Sequence, residues 1–383
     1  MNPGVPVALL QLRRNPRRLL IAVAGLVMSS FGILCQMGFE DSLFRSATRL
    51  FTELDADLVV ISPQYQFMVL PAQFSERRLQ QALGATGVNA VASLRLGVAP
   101  FKNPITGINR TAYIVGAPRT GRVFIDPDWQ AQLRRLSRPD AVLFDARSRP
   151  EFGPVGQLHR RGPVVTEIAR EEVQVAGLFE MGASFSADGT VIVSDEGFLR
   201  IFPHRHPGLI DVGLITLEAG HDAATVLDDV RRQVPDDVLV LTHAEFNARE
   251  QAYWRSTTPA GFIFNTIFIV SLLVGVVSAY QILYSDVMAH LSQYATLKAI
   301  GYPDRYFRRL TFEKAWLLSS MAFPVGFLLA EAVYVGATRL TLVPLVMTPG
   351  RVVGVYVITL AAASAAGLVA IRRLRRLDPT DLL

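Results

Sequence analysis

Four long apolar runs set the folding problem for this chain. The first, LLIAVAGLVMSSFGILCQMGF from Leu19 to Phe39, carries no charge, and neither does the second, 259–285, which opens PAGFIFNTIFIVSLLVGVVSAYQILY. The third, 305–338, is apolar from Ala315 onward except for Glu331, and the fourth, VVGVYVITLAAASAAGLVAI at 352–371, is uncharged. Each reaches roughly the 20 residues that a helix needs to cross a hydrocarbon core of ~30 Å. Inside such a core the backbone must satisfy its own polar groups, so the runs predict four membrane-spanning helices in a one-plus-three arrangement.

Basic residues in the flanks set the orientation. Arg13, Arg14, Arg17 and Arg18 precede the first run. Lys298, Arg305, Arg308, Arg309 and Lys314 lie between the second run and the apolar part of the third, and Arg372, Arg373, Arg375 and Arg376 come after the fourth. The connection 339–351 holds only Arg339 and Arg351. The positive-inside rule therefore places both termini and the stretch 286–304 in the cytoplasm, and 40–258 and 339–351 on the outside of a plasma membrane. The first run also has the basic start and apolar core of a signal peptide. The residues at its end, QMGFEDSLF, offer no small-x-small cleavage site, so it reads as a retained anchor. Before it, residues 1–18 with VPVALLQLRRN form an amphipathic segment suited to the cytoplasmic membrane surface. Residues 372–383 form a short cytoplasmic tail.

The segment 40–258 alternates strand-like and helical patterns. ADLVVISP, VASLRLGVAPF, TAYIVGAP, AVLFDAR, EVQVAGLF, TVIVSD and VGLITLEA have strand character. FSERRLQQALGA and AATVLDDVRRQV have helical periodicity. EDSLFRSATRLFTEL and HAEFNAREQAYWRST read as stalk helices continuous with the first and second spans. The fold class expected is an α-helical membrane protein of four transmembrane helices with a large extracytoplasmic α+β domain. That domain is expected to have two lobes, an outer one of about 119–205 inserted into the inner.

Composition and motifs exclude most chemistry. Half of the 383 residues are apolar, and the net charge of +5 comes mainly from arginines beside apolar runs, which reads as membrane flanking and not as a nucleic-acid surface. The single cysteine, Cys35, leaves no disulfide framework and no cysteine zinc site, and in an apolar run it reads as a buried, inert thiol. GAPRTGRV at 116–123 has the glycine spacing of a phosphate loop but has arginine in place of lysine and valine in place of Ser/Thr, so it reads as a turn. HRH at 204–206, between two prolines and without a nearby carboxylate or cysteine, reads as a solvated turn. No G-x-S-x-G elbow occurs, and the Asn109 sequon is incidental. Glu331, near the outer end of its span, is expected to reach water, whereas Gly25, Gly32 and Gly275 read as points of close helix packing. No catalytic, metal or cofactor site is expected, and no ATPase activity of the chain's own.

Most informative is the polar stretch between the second and third spans, HLSQYATLKAIGY from His290 to Tyr302. As a helix it lines up Val287, Leu291, Tyr294, Ala295, Ala299 and Tyr302 on one face, leaving Leu297 and Ile300 as exposed apolar residues beside Lys298. Gly301 can end the helix in the left-handed conformation, and Pro303 and Asp304 suit the start of the next. A chain that leaves the membrane, forms one short helix with an apolar spot and re-enters at once offers a docking surface.

HLSQYATLKAIGYPDRYF resembles the coupling helix of FtsX/MacB-type (type VII) ABC transporter permeases, and is most similar to the DevC branch. The resemblance extends over the basic start LQLRRNPRRLL, DADLVVISPQ, SRPEFGP at 148–154, VAGLFEMGASFSADGTVIVSD at 175–195 and the terminal RRLDPTDLL. It implies an inner-membrane permease that binds no cofactor itself and works with a separate cytoplasmic ATPase carrying ATP and magnesium. The implied partners also include a second permease copy, a periplasmic membrane-fusion adaptor, a TolC-like outer-membrane channel and membrane lipids, but no nucleic acid. The same resemblance puts the ATPase-coupling role on Tyr294, Leu297, Lys298, Ala299, Ile300, Gly301 and Tyr302. Leu297 and Ile300 would fill the ATPase groove and Lys298 would meet an acidic rim. Efflux of a lipid or other hydrophobic cargo is the implied function. Control of a cell-wall hydrolase, extraction of lipoproteins and a four-span sensor without an ATPase stand as alternatives.

Overall fold

The computed structural model describes residues 16–184 and 187–374. Most of the amphipathic segment 1–18, with Arg13 and Arg14, and the tail residues 375–383, with Arg375 and Arg376, lie outside the described residues. In chain order the elements are α1 (Pro16–Thr52), β1 (Leu58–Ile61), β2 (Phe74–Ser75), α2 (Arg77–Ala82), β3 (Val88–Lys102), β4 (Asn109–Ala117), α3 (Pro127–Gln132), β5 (Ala141–Asp145) and α4 (Val155–Arg161). Next come β6 (Val164–Ile168), β7 (Glu171–Phe179), β8 (Thr190–Ser194), α5 (Asp195–Ile201), β9 (Leu209–Ile210), β10 (Val212–Leu217), α6 (Ala223–Gln233), β11 (Leu239–Thr242) and α7 (His243–Ser256). The chain closes with α8 (Pro259–Ala289), α9 (Leu291–Ala299), α10 (Asp304–Thr341) and α11 (Pro349–Leu374). It divides into two compact units, one of Met1–Ser42 with Pro259–Leu383 and one of Leu43–Thr258.

In the first unit, α1, α8, α10 and α11 are long and apolar enough to cross a membrane. The α1–α8 contact is made by small residues. A Cβ on Gly25 would overlap Ser278, one on Gly32 would overlap Ser271, and one on Gly275 would overlap Ser29. These glycines let two backbones approach closely, as their positions in the apolar runs predict. Deeper in, the core is alanine-rich, with Ala279, Ala315, Ala322, Ala363, Ala366 and Ala370 packed around Leu26, Leu283 and Leu318. Cys35 is half-buried. Glu331 is half-buried too, but its Oε2 is enclosed and has no hydrogen-bond partner among the described residues, so this oxygen does not reach water as expected.

Arg351 is not a simple flanking charge. It is buried at the start of α11, pairs with Asp41 of α1 at 2.7 Å, and donates to Tyr334 Oη at 3.2 Å and the Val346 carbonyl at 2.8 Å. Tyr334 in turn donates to the Leu34 carbonyl at 2.5 Å. Hydrogen bonds from charged donors are directional, so this cluster sets the register of α1, α10 and α11.

The second unit is built on one mixed sheet of nine strands, in the order β11-β1-β10-β3-β4-β8-β5-β7-β6. Strand β3 joins its two halves: Val88–Leu94 pair with β10, and Arg95–Lys102 pair with β4. The two lobes expected of this domain are the two halves of the sheet. The outer half starts at Arg95, inside a strand, and shares the sheet with the inner half. One face carries a core continuous across both halves, including Phe51, Leu94, Leu96, Tyr113, Trp129, Leu143, Ile192 and Phe246. The other face has two cores, one around Leu79, Val226 and Val230 and one around Phe101, Phe144, Phe152 and Phe198. Alternation along β3 sends Leu94 and Leu96 to the shared core and Ala99 and Phe101 to the opposite face.

One of the two stalks differs from expectation. Helix α1 is unbroken from Pro16 to Thr52, but α7 stops at Ser256 and α8 begins anew at Pro259. Proline has no N–H and disfavours a helical residue before it, and the Thr258 hydroxyl donates to the Trp254 carbonyl at 2.7 Å. The turn at 118–121 comes after strand β4 and opens no long helix, so GAPRTGRV has no phosphate-loop geometry. In HRH the central residue is structural. Arg205 pairs with buried Asp211 and lies over the Phe198 ring at 5.4 Å.

Candidate functional site

The short helix α9 sits between two spanning helices, and its ends are sharply defined. Helix α8 runs past the expected 285 to Ala289, and His290, at φ −114°, interrupts the helix before α9. At the other end Gly301 has φ +102°, a conformation that suits glycine. Its N–H bonds the Lys298 carbonyl at 3.0 Å, and the Tyr302 N–H bonds the Leu297 carbonyl at 3.1 Å. This pair of bonds is a Schellman cap. Pro303 then caps α10, which starts at Asp304.

The residues assigned to coupling divide into two groups. Tyr294 is only 5 % exposed. It packs with Val287, Phe307, Leu310 and Ile371, its ring meeting Phe307 edge-on at 5.6 Å. Leu297 is half-buried against the same cluster, which corrects its expected place as an exposed apolar residue. Helical geometry explains the difference: positions 294 and 297 are three apart and share the face that lies on α10. Lys298, Ala299, Ile300, Gly301 and Tyr302 are exposed, Ile300 by 70 % and Tyr302 by 43 %. Tyr302 rests beside Tyr306, with ring centroids 4.9 Å apart. The solvent-facing surface is thus a tip with one aliphatic, one aromatic and one cationic side chain. Beneath it, Tyr294 and Leu297 are anchors.

Three further residues hold this segment. Lys314 of α10, read from the sequence as a flanking charge, is 2 % exposed and points inward. Its ammonium pairs with Asp286 of α8 and donates to Tyr294 Oη at 3.0 Å. Asp286 Oδ1 also lies 3.4 Å from His290 Nδ1, and that nitrogen is 2.9 Å from the Asp286 carbonyl. Burial, with the Asp286 carboxylate and Tyr306 adding to it, pushes the Tyr294 hydroxyl well above its usual pKa, so it stays protonated at neutral pH. The sequence does hold a signal for this cluster: Asp286 and His290 are four apart, and Lys314 is one of three lysines in the chain. No group of three or more His, Cys, Asp or Glu arranged to hold a metal occurs among the described residues.

The sequence model of the FtsX-like permease C-terminal family matches residues 265–379, a stretch that contains α9 and α10 and most of α8. Over 387 aligned residues the chain is 24 % identical to a protein of Mycobacterium bovis named as an uncharacterized ABC transporter permease, with 97 % of each chain covered. The same identity and coverage hold for proteins so named in two strains of Mycobacterium tuberculosis. Among solved structures, the chain is similar to the extracellular domain of the noncanonic ABC-type transporter YknZ from Gram-positive bacteria, with TM-score 0.33 and 13 % identity over 49 % of this chain and 99 % of that one. It is also similar to the periplasmic region of MacB from Actinobacillus actinomycetemcomitans, with TM-score 0.36 and 6 % identity over 51 % of this chain and 92 % of that one.

Proposed function

We propose that this chain is the permease subunit of an ABC-type exporter of the FtsX/MacB kind, in the DevC branch. A separate cytoplasmic ATPase binds ATP and magnesium and docks on the tip of α9. Its closure moves the spanning helices, and through them the domain on the far side of the membrane, which drives a lipid or other hydrophobic cargo outward. A second permease copy, a periplasmic adaptor and an outer-membrane channel complete the assembly, with both termini of this chain in the cytoplasm of the inner membrane. The permease itself carries no catalytic residue.

The observation that carries this reading is the tip itself. Lys298, Ile300 and Tyr302 stand exposed on a short capped helix in the loop where basic flanks place the cytoplasm. The family match over 265–379 and the end-to-end likeness to proteins named as ABC transporter permeases support it. Because Ile300 makes no core contact, Ile300→Asp tests docking without breaking the fold. Co-purification of the wild type in nanodiscs with a candidate ABC ATPase from the same organism is expected to yield a complex, and the variant should lose at least tenfold in affinity. Retention of the ATPase at wild-type affinity by the variant would remove the tip from the interface. Failure of the wild type to hold an ATPase would leave a four-span protein with no ATPase partner.

A further inference from the structure

We propose that Lys314 is a positioning residue for coupling, which fixes α9 rigidly to α8 and α10 so that force on the exposed tip reaches the spanning helices. The inference rests on the docking role proposed above and goes beyond it. It concerns how α9 is held, not what α9 touches.

Helix α9 has only nine residues and is bounded by non-helical His290 on one side and the Gly301 turn on the other. A helix that short has little stability of its own. Its apolar underside would hold it on α10, but apolar contact is non-directional and permits sliding. The polar cluster removes that freedom. One ammonium reaches a carboxylate on α8 and a phenol on α9 while its stem belongs to α10, joining three consecutive elements at one atom. His290, at the junction of α8 and α9, lies against the other carboxylate oxygen. Lys314 is about 15 Å along α10 from Asp304 at the helical rise of 1.5 Å per residue. A lysine at that depth ordinarily extends its ammonium toward water. Here the side chain is 2 % exposed and Asp286 8 %. Buried ion pairs are weak stabilisers compared with apolar packing of the same volume, so geometry is what this one contributes.

The test uses the full permease–ATPase complex in nanodiscs. Spin labels at Gln293→Cys on α9 and Arg308→Cys on α10, both exposed, report their distance in a Cys35→Ala background. Two cluster variants are compared. Lys314→Met leaves Asp286 buried without its cation, whereas Asp286→Leu with Lys314→Met removes both charges and refills the space. The double variant separates positioning from stability, because loss of both charges restores packing but not direction. It is expected to fold, to keep the ATPase on its intact tip, and to show a distance distribution at least twice as broad as wild type, with and without ATP. A distribution as narrow as wild type in the folded double variant would overturn the positioning role while leaving the docking role intact. A wild-type complex that fails to form would overturn the docking role, and the coupling role of Lys314 with it.

Discussion

Glu250 is the residue whose burial has the clearest consequence in solution. It lies in α7, is 1 % exposed, and accepts from the Tyr65 hydroxyl at 3.2 Å and the Met68 N–H at 3.1 Å. These bonds strap the 62–70 segment across the helix, with Phe67 stacked on Tyr253 at 4.5 Å. Burial raises the carboxyl from 4.5 to about 7, against the opposing pull of the Met68 amide, Tyr65 and Trp254. A folded pKa above the unfolded one means that the native state holds the proton more tightly. The contribution is therefore complete below pH 4.5, is lost as pH rises, and levels off above about 7. That difference corresponds to on the order of 3 kcal/mol. Unfolding of the full chain in nanodiscs, monitored by tryptophan fluorescence from pH 5 to 8, should show stability falling with pH, and Glu250→Gln should flatten the profile. A wild-type profile already flat over that range would refute the assignment. The sequence HAEFNAREQAYWRST shows a helix, but periodicity does not show which of its charged residues turns inward.

At the scale of elements, the contact of α1 with α8 was legible by half. Gly25, Gly32 and Gly275 stand out in apolar runs as places where helices come close, and the structure puts Ser278, Ser271 and Ser29 opposite them. The serine partners carry no mark in the sequence, because a small polar residue in a span can as easily face lipid or its own backbone. Gly275→Val should push the two helices apart, at a cost of about 1–3 kcal/mol for overpacking. Gly336→Val is the control, since nothing lies within 4 Å of a Cβ there. Thermal unfolding in nanodiscs should separate the two variants by several degrees, and equal midpoints would show that the α1–α8 contact is not close. The α7–α8 break belongs to the same scale: Pro259 announces it, yet the apolar run and the stalk pattern on either side read as one helix.

For the whole molecule, the testable claim is which side of the membrane each part occupies. With Cys35 replaced by Ala, a cysteine at Thr120, exposed in the strand-bearing unit, should react with a membrane-impermeant maleimide in spheroplasts. One at Gln293 on α9 should react only after permeabilisation. The reverse pattern would invert the topology and put α9 out of reach of a cytoplasmic ATPase. The expected orientation rests on arginines distributed along the chain and needs no tertiary contact. The shared sheet cannot be read this way, because a strand such as β3 looks the same whether it serves one half or two.

The amino-acid sequence alone specifies the number and order of the spanning helices, the place of the strand-bearing domain between the first and second, and the glycine cap that ends α9. These depend on hydrophobic length, flanking charge and local turn chemistry, all properties of neighbouring residues. Folding in three dimensions settles which charges are buried and with whom. Asp286 and Lys314 are 28 residues apart, and Asp41 and Arg351 are 310 apart. Nothing in the sequence pairs Asp286 with Lys314 or Asp41 with Arg351. Periodicity assigns a side chain to a face, but the partner on the opposing face comes from a distant part of the chain, and only packing brings the two together.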